Sequence, residues 1–221
     1  MGSIAENLVQ IQKNIPSDVK LIAVSKFKPI EVIKEAYQAG QRLFGENKAQ
    51  EMTEKYQDLP KDIQWHFIGH LQTNKVKYIT PFVDLIHSVD SIKLLSEINR
   101  QGEKYNRIIN CLLQFYIAKE DTKFGFSLQE ANEMLDNNFF INYKHIRVCG
   151  VMGMATFTDN HTQIRSEFIN LKKIFIHLKE NHFPQTDYFK EISMGMTDDY
   201  QIAIEEGSTM IRIGSAIFGS R

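Results

Sequence analysis

The sequence predicts an α/β fold: a single (β/α)8 TIM barrel with an extra N-terminal helix, spanning residues 1–221. Three observations lead to this prediction. Short apolar runs alternate with amphipathic segments along the whole chain, eight such runs can be counted, and no linker, low-complexity segment or repeat divides them. An open, doubly wound sheet is the alternative, and the count of eight favours the closed barrel.

The strands are predicted from apolar runs that stop at polar, glycine or proline residues. The clearest run is Leu-Ile-Ala-Val at 21–24, which ends at Ser25 and Lys26 shortly before Pro29. The longer run 108–115 is typical of a fully buried strand. In chain order, the predicted strands are 21–24, 43–45, 64–68, 83–87, 108–115, 146–151, 190–193 and 210–213.

The helices are predicted from apolar residues at spacings of three and four. Ile4, Leu8 and Ile11 mark an opening amphipathic helix, Pro29 suits the first turn of the second helix, and Gly40 ends that helix. In chain order, the predicted helices are 3–14, 29–39, 47–56, 73–80, 88–101, 127–135, 161–179 and 198–206, followed by a turn or short helix at 216–218.

Composition excludes several classes of protein. Hydrophobic residues make up 43% and charged residues 24% of the chain, as in ordinary globular proteins, and the net charge of −1 offers no field for nucleic acid. No run is long enough to span a membrane, and the start lacks the features of a leader. Cys111 and Cys149 lie separately in apolar runs, which predicts reduced thiols and a cytoplasmic location.

Lys26 is the first candidate for chemistry because it follows the first strand. The carboxyl ends of the strands share one mouth in a barrel, and ligands collect there. A lysine at this mouth can act as an amine nucleophile. The alternative is a solvated lysine at a strand end.

The segment 191–199 is the second candidate. It passes from a strand through a loop of small residues into a helix start, where free N–H groups favour phosphate, and Ser193 and Thr197 add hydroxyl groups. Asp198 and Asp199 would repel a phosphate dianion unless they point away from it. A capped loop without a ligand is the alternative.

The last strand supplies a third group. Alternation places Arg212 on the face opposite Ile211 and Ile213, so it is expected to project into the barrel near the mouth, and Gly214 and Ser215 form another loop able to approach phosphate. A lysine amine, a phosphate cradle and an arginine together match the needs of pyridoxal 5′-phosphate (PLP), whose aldehyde condenses with lysine.

Five motifs carry a resemblance to a known family. They are AVSKFKP (23–29), FGENKAQE (44–51), WHFIGHLQTNK (65–75), GVMGMAT (150–156) and ISMGMTDDYQIAIEEGSTMIRIGSAIFG (192–219). Across essentially its whole length, the chain resembles the pyridoxal phosphate homeostasis proteins, whose fold is similar to the barrel domain of alanine racemase, a fold-type III PLP enzyme.

The resemblance implies a role for each matching residue. Lys26 matches the Schiff-base lysine, and Arg212 matches the arginine that faces the pyridine nitrogen in the related racemases, where it makes the cofactor a weaker electron sink. The residues that match the phosphate loops are Ser193, Gly195, Thr197, Gly214 and Ser215. Asn47 matches a residue that lines the site, and Met152 matches a wall position that is otherwise explained as core packing.

The resemblance also implies a function: storage and delivery of PLP in vitamin B6 homeostasis and amino-acid balance, with little or no turnover and with PLP-dependent apo-enzymes as partners. A PLP-dependent racemase or lyase is the alternative, and a barrel that binds another phosphate ligand is a third hypothesis.

The chain ends at Arg221, so we expect neither the second racemase domain nor its dimer, but a monomer. Tyr116 and His66 are the candidates for a substitute base, although packing explains each better. Lys28, Lys75, Lys119 and Lys123 are candidates for secondary aldehyde sites, although solvated lysines explain them better.

Overall fold

In the computed structural model, which describes residues 2–118, 124–136 and 139–219, eight parallel strands close into a barrel in chain order, β1 to β8. This confirms the predicted fold class. The predicted loop residues Lys119 and Lys123 lie outside the described residues. The strands are β1 Lys20–Val24, β2 Leu43–Glu46, β3 Gln64–Phe67, β4 Leu85–Val89, β5 Ile109–Gln114, β6 Ile146–Met152, β7 Glu191–Ser193 and β8 Met210–Ile213.

Helices follow the strands on the outside of the barrel, and none among the described residues has the length and apolar composition of a membrane span. The helices are α1 Ile4–Lys13, α2 Ile30–Gln38, α3 Ala49–Asp58, α4 Val76–Ile79 (after a 3-10 turn at Thr73–Lys75), α5 Ile92–Lys104, α6 Leu128–Asp136, α7 Phe139–Asn142, α8 His161–Asn181, α9 Tyr200–Glu205 and α10 Ser215–Phe218. The sequence did not predict α7.

The extra helix α1 begins with a capping box. Ser3 Oγ accepts from the N–H of Glu6 at 3.3 Å, and the Glu6 carboxylate accepts from the N–H of Ser3 at 2.7 Å. The helix buries Leu8, and its Asn7 amide donates to the carbonyl of Ile217 in α10 at 3.0 Å. The first helix is thereby tied to the last.

The boundary between β4 and α5 differs from the prediction by several residues. The strand was predicted at 83–87 and the helix from Ser88, but Ser88 and the buried Val89 continue the strand. Ser91 is the N-cap instead, because its hydroxyl accepts from the N–H of Leu94 at 3.4 Å. The Ser88 hydroxyl donates to the carbonyl of Gly69. Ser88 was predicted to begin the helix, but its side chain stabilises the turn that follows β3.

The hydrophobic core lies mainly between the strands and the helices. Ile211 and Ile213 belong to that outer core, whereas Met152 packs inside the barrel with Leu85, Leu112 and Met210. Much of the remaining interior is polar. The buried side chains there include His66, His87, Ser193 and Arg212.

Candidate functional site

A cavity of about 320 Å³ opens at the carboxyl ends of the strands. We call it the mouth cavity, and it brings together residues that lie far apart in sequence. Those predicted for the site that line it are Lys26, Thr197, Arg212, Gly214 and Ser215. Lys28, Asp198, Met154, Phe157 and Met196 contribute further parts of its wall. Most of the predicted site residues thus share one space.

The turn that carries Lys26 is held in an unusual backbone conformation. Phe27 has a φ of 63°, which a bulky residue rarely adopts, and its N–H donates to the Glu51 carboxylate at 2.6 Å. This strained residue directly follows the lysine. The position of the Lys26 backbone is therefore set by a contact from α3.

A buried ionic cluster supports the same turn. The Lys55 ammonium donates to the carbonyl of Ser25 at 2.8 Å, to Glu46 Oε1 at 2.8 Å and to Glu51 Oε1 at 2.7 Å. Ser25 Oγ also donates to Glu46 Oε1 at 2.6 Å. Burial raises the pKa of Glu46, although Lys55 and Ser25 act against the rise. Together these groups hold the residues on either side of Lys26.

Two hydroxyl groups from different loops meet in the mouth cavity. Ser215 Oγ, which follows β8, donates to Thr197 Oγ1, which follows β7, at 3.2 Å. The carboxylate of Asp199 accepts from the N–H of Met196 at 2.5 Å, so it is tied to its own loop, while Asp198 is exposed on the cavity wall. The two loops predicted to bind phosphate are thus adjacent.

Gly195 allows the loop after β7 to pack closely against its neighbours. Its φ is +95°, and an added Cβ would lie 2.6 Å from the Ala203 side chain. Its carbonyl accepts from the N–H of Arg212 at 3.0 Å. Glycine is therefore required for the close packing of the β7 loop against α9 and β8.

Arg212 enters the cavity from inside the barrel. Only 5% of it is exposed, and its guanidinium donates to Ser193 Oγ at 2.6 Å and to the carbonyl of Gly153 at 3.2 Å. Burial lowers its pKa to about 10, and the nearby Asp199 opposes this shift. Arg212 therefore carries its charge at neutral pH.

Four predicted residues lie outside the described cavity wall. Ser193 is fully buried beneath it, and Gly195 acts through its backbone. Met152 belongs to the small cluster inside the barrel. Asn47 lines a different cavity of about 310 Å³, together with Lys75, and its Oδ1 is buried without a hydrogen-bond partner.

The two candidate bases occupy different places. Tyr116 lines a cavity of about 240 Å³ that adjoins the mouth cavity. The His66 ring lies inside the barrel, where its Nδ1 is 2.8 Å from His87 Nε2. The ring also lines a fourth cavity, of about 370 Å³, together with Asp84 and other residues at the amino ends of the strands. His66 is therefore not at the mouth.

Sequence reasoning missed His87 and the cluster formed by Lys55, Glu46 and Glu51. Only His66 drew attention, although His87 also occupies an inward position on the adjacent strand. Two histidines at inward positions of neighbouring strands are the signal that was available. The Lys55 cluster had a weaker signal, since Glu51 and Lys55 have the spacing of an ordinary surface ion pair on a helix.

Comparison with known proteins identifies relatives along the whole chain. Residues 1–221 match the family described as alanine racemase, N-terminal domain. The pyridoxal phosphate homeostasis protein of Pasteurella multocida (strain Pm70) is 42% identical over 233 residues, which covers 99% of this chain and 98% of the relative. The protein of the same name from Escherichia coli (strain K12) is 35% identical and covers 100% and 98%.

Solved structures agree with these relatives. PipY of Synechococcus elongatus PCC7942, solved with PLP bound, has a TM-score of 0.88 and 34% identity, and the match covers 98% of this chain and 100% of PipY. Alanine racemase from Streptomyces coelicolor A3(2) has a TM-score of 0.82 at 12% identity, covering 99% of this chain and 58% of the racemase, which shows the shared fold alone. The chain belongs to the alanine racemase N-terminal domain family and, within it, to the pyridoxal phosphate homeostasis proteins.

Proposed function

We propose that this chain binds PLP in the mouth cavity and serves PLP homeostasis, with Lys26 as the residue that holds the cofactor. The observation that carries the proposal is the shared cavity: a lysine, an arginine and the hydroxyl groups of Thr197 and Ser215 all line one space of about 320 Å³. Family membership and the PLP bound in PipY support the same cofactor.

The residues present fit the chemistry of PLP. PLP, when bound, supplies an aldehyde that condenses reversibly with a primary amine and a ring that withdraws electrons. Lys26 provides the amine, and the adjacent hydroxyl groups of Thr197 and Ser215 provide donors for phosphate. Arg212 provides a fixed positive charge, which disfavours protonation of a ring nitrogen placed beside it.

We further propose that the chain stores and delivers PLP with little or no turnover. Apart from Lys26 and Arg212, the titratable groups on the mouth-cavity wall, as far as it is described, are Lys28 and Asp198. The Lys28 ammonium donates to the carbonyls of Phe218 and Gly219 at 3.1 and 3.2 Å, so its protons are already engaged by the end of α10. A racemase or lyase needs a group that exchanges protons readily at the substrate.

Absorption spectroscopy tests the cofactor assignment. We expect PLP to produce a visible band with the wild-type chain and with Lys28→Ala, and to produce none with Lys26→Ala. Borohydride reduction and peptide mapping should then locate the adduct on Lys26. An adduct on Lys28 with none on Lys26 would reassign the lysine, and the absence of any band would contradict PLP binding.

A transfer assay tests delivery. The PLP-loaded chain is mixed with an apo-transaminase, and activation is compared with that caused by the same concentration of free PLP, with Lys26→Ala as control. Activation by the loaded chain supports delivery, whereas sustained racemisation or elimination of an amino acid that depends on Lys26 would establish an enzyme. Light scattering on the purified chain alone tests the expected monomer, and cell fractionation tests the expected cytoplasmic location.

A further inference from the structure

A line of hydrogen bonds crosses the barrel beneath the mouth cavity. Arg212 Nη1 donates to Ser193 Oγ at 2.6 Å, Ser193 Oγ lies 2.9 Å from His87 Nδ1, and His87 Nε2 lies 2.8 Å from His66 Nδ1. These side chains come from β8, β7, β4 and β3, and each is at most 5% exposed. The side chains on this line are therefore shielded from solvent.

Donor and acceptor chemistry gives this line two directions. In the first, His66 Nδ1–H donates to His87 and His87 Nδ1–H donates to Ser193. Ser193 Oγ then accepts twice, from His87 and Arg212, and its own proton has no acceptor along the line. The lone pair of His66 Nε2 would also face the Asp84 carboxylate, whose Oδ2 lies 3.6 Å away.

In the second direction every proton between Arg212 and His66 is donated to an acceptor on the line. Arg212 donates to Ser193, the Ser193 hydroxyl donates to His87 Nδ1, and His87 Nε2–H donates to His66 Nδ1. His66 Nε2–H then points toward Asp84; at 3.6 Å this is an electrostatic contact rather than a hydrogen bond. The aligned bonds run from a cation to an anion, which favours this direction electrostatically.

We infer that His87 and His66, both as Nε2–H tautomers, are positioning residues that orient the Ser193 hydroxyl and thereby hold the Arg212 guanidinium in one orientation under the mouth cavity. With its proton donated to His87, the Ser193 hydroxyl is held in one rotamer, and a lone pair of its oxygen accepts from Arg212. The inference about Arg212 concerns the chain itself; its consequence for a bound ring rests on the proposed function.

The tautomers are measured first, on the apo-protein. Long-range ¹H–¹⁵N correlation spectra should show both buried rings with the proton on Nε2, and the Arg212 guanidinium N–H groups should be slow to exchange with solvent. A proton on Nδ1 of either ring would overturn the inferred direction. These measurements contain no PLP, so they remain informative if the cofactor assignment fails.

Variants then separate positioning from simple packing. His87→Leu removes the acceptor for Ser193, and His87→Asn restores one. We expect fast exchange at Arg212 and about ten-fold weaker PLP binding in His87→Leu, the size of a lost hydrogen bond to a charged group, with recovery in His87→Asn. Equal exchange rates at Arg212 in all three folded proteins would show that the histidines only fill space.

Ser193→Ala provides a test that changes little volume. It removes the group between Arg212 and His87, so we expect fast exchange at Arg212 and a mixture of His87 tautomers in the apo-protein. Retention of a single Nε2–H tautomer together with slow exchange would overturn the proposed coupling. If the apo-protein results are as expected and no variant forms a PLP band, the proposed function fails while the positioning chain stands.

Discussion

The two histidines inside the barrel should make the stability of the fold strongly dependent on pH. Burial lowers the pKa of His66 to about 3 and that of His87 well below its ordinary value. In the unfolded chain both rings bind a proton near pH 6.5. The folded protein therefore loses stability as the pH falls below 6.5, and the loss continues until the folded pKa is reached, near pH 3 for His66.

The magnitude follows from proton linkage. A ring that stays neutral in the folded state costs about 1.4 kcal/mol of unfolding free energy for each pH unit below its unfolded pKa. Two rings lower the free energy of unfolding by about 4 kcal/mol between pH 8 and pH 5. Glu46 and Asp199 act in the opposite direction, because burial raises the pKa of each.

Comparison of variants isolates the histidine contribution from these carboxyl groups. We would measure the free energy of unfolding by urea titration from pH 5 to pH 8 for the wild type, His87→Asn and His161→Asn. His87→Asn should reduce the slope below pH 6.5 by about 1.4 kcal/mol per pH unit. His161 is exposed at the start of α8 and serves as the control, with the wild-type slope.

Parallel pH profiles for the wild type and His87→Asn would refute this reasoning, because they would mean that His87 gains no proton on unfolding. A slope for His161→Asn that is reduced as much as the slope for His87→Asn would also refute it. Differences in the urea slope between variants would have to be excluded first, since they report changes in exposed surface rather than in protonation.

Three further substitutions or reactions test other parts of the structure. Lys55→Met leaves the buried Glu46 carboxylate without its cation and should lower the free energy of unfolding by about 3–5 kcal/mol at pH 8, measured by urea titration. Gly195→Ala should lower the free energy of unfolding by about 1–3 kcal/mol more than Gly40→Ala. Both glycines have a positive φ, but only at Gly195 would the new Cβ strike a neighbouring side chain. Equal losses of unfolding free energy would contradict that contact. Cys111, whose thiol pKa is raised by burial, should react with a thiol reagent only in urea, and rapid labelling of the native protein would show that it is accessible.

The order of strands and helices was predictable because it depends on local patterns. Apolar runs and helical spacings report which residues face a core, and parallel strands of a barrel end on the same side. For that reason Lys26, Arg212 and the loops after β7 and β8 could be assigned to one mouth before any contact was known. The β4 boundary was wrong because Ser88 and Ser91 both suit a helix start, and only the pairing of β4 with its neighbours distinguishes them.

The sequence by itself determined the barrel and the side of the barrel where the candidate site lies, because both follow from residue type and periodicity along the chain. The family followed from the resemblance of its motifs. Tertiary structure alone decided which polar groups meet. The contact between His87 and Ser193 joins residues 106 positions apart, and Lys55 reaches the turn at Ser25 across 30 positions. Such contacts depend on the closure of the barrel and on which residues of each strand point inward. A local sequence pattern does not show which distant residues these two features bring together.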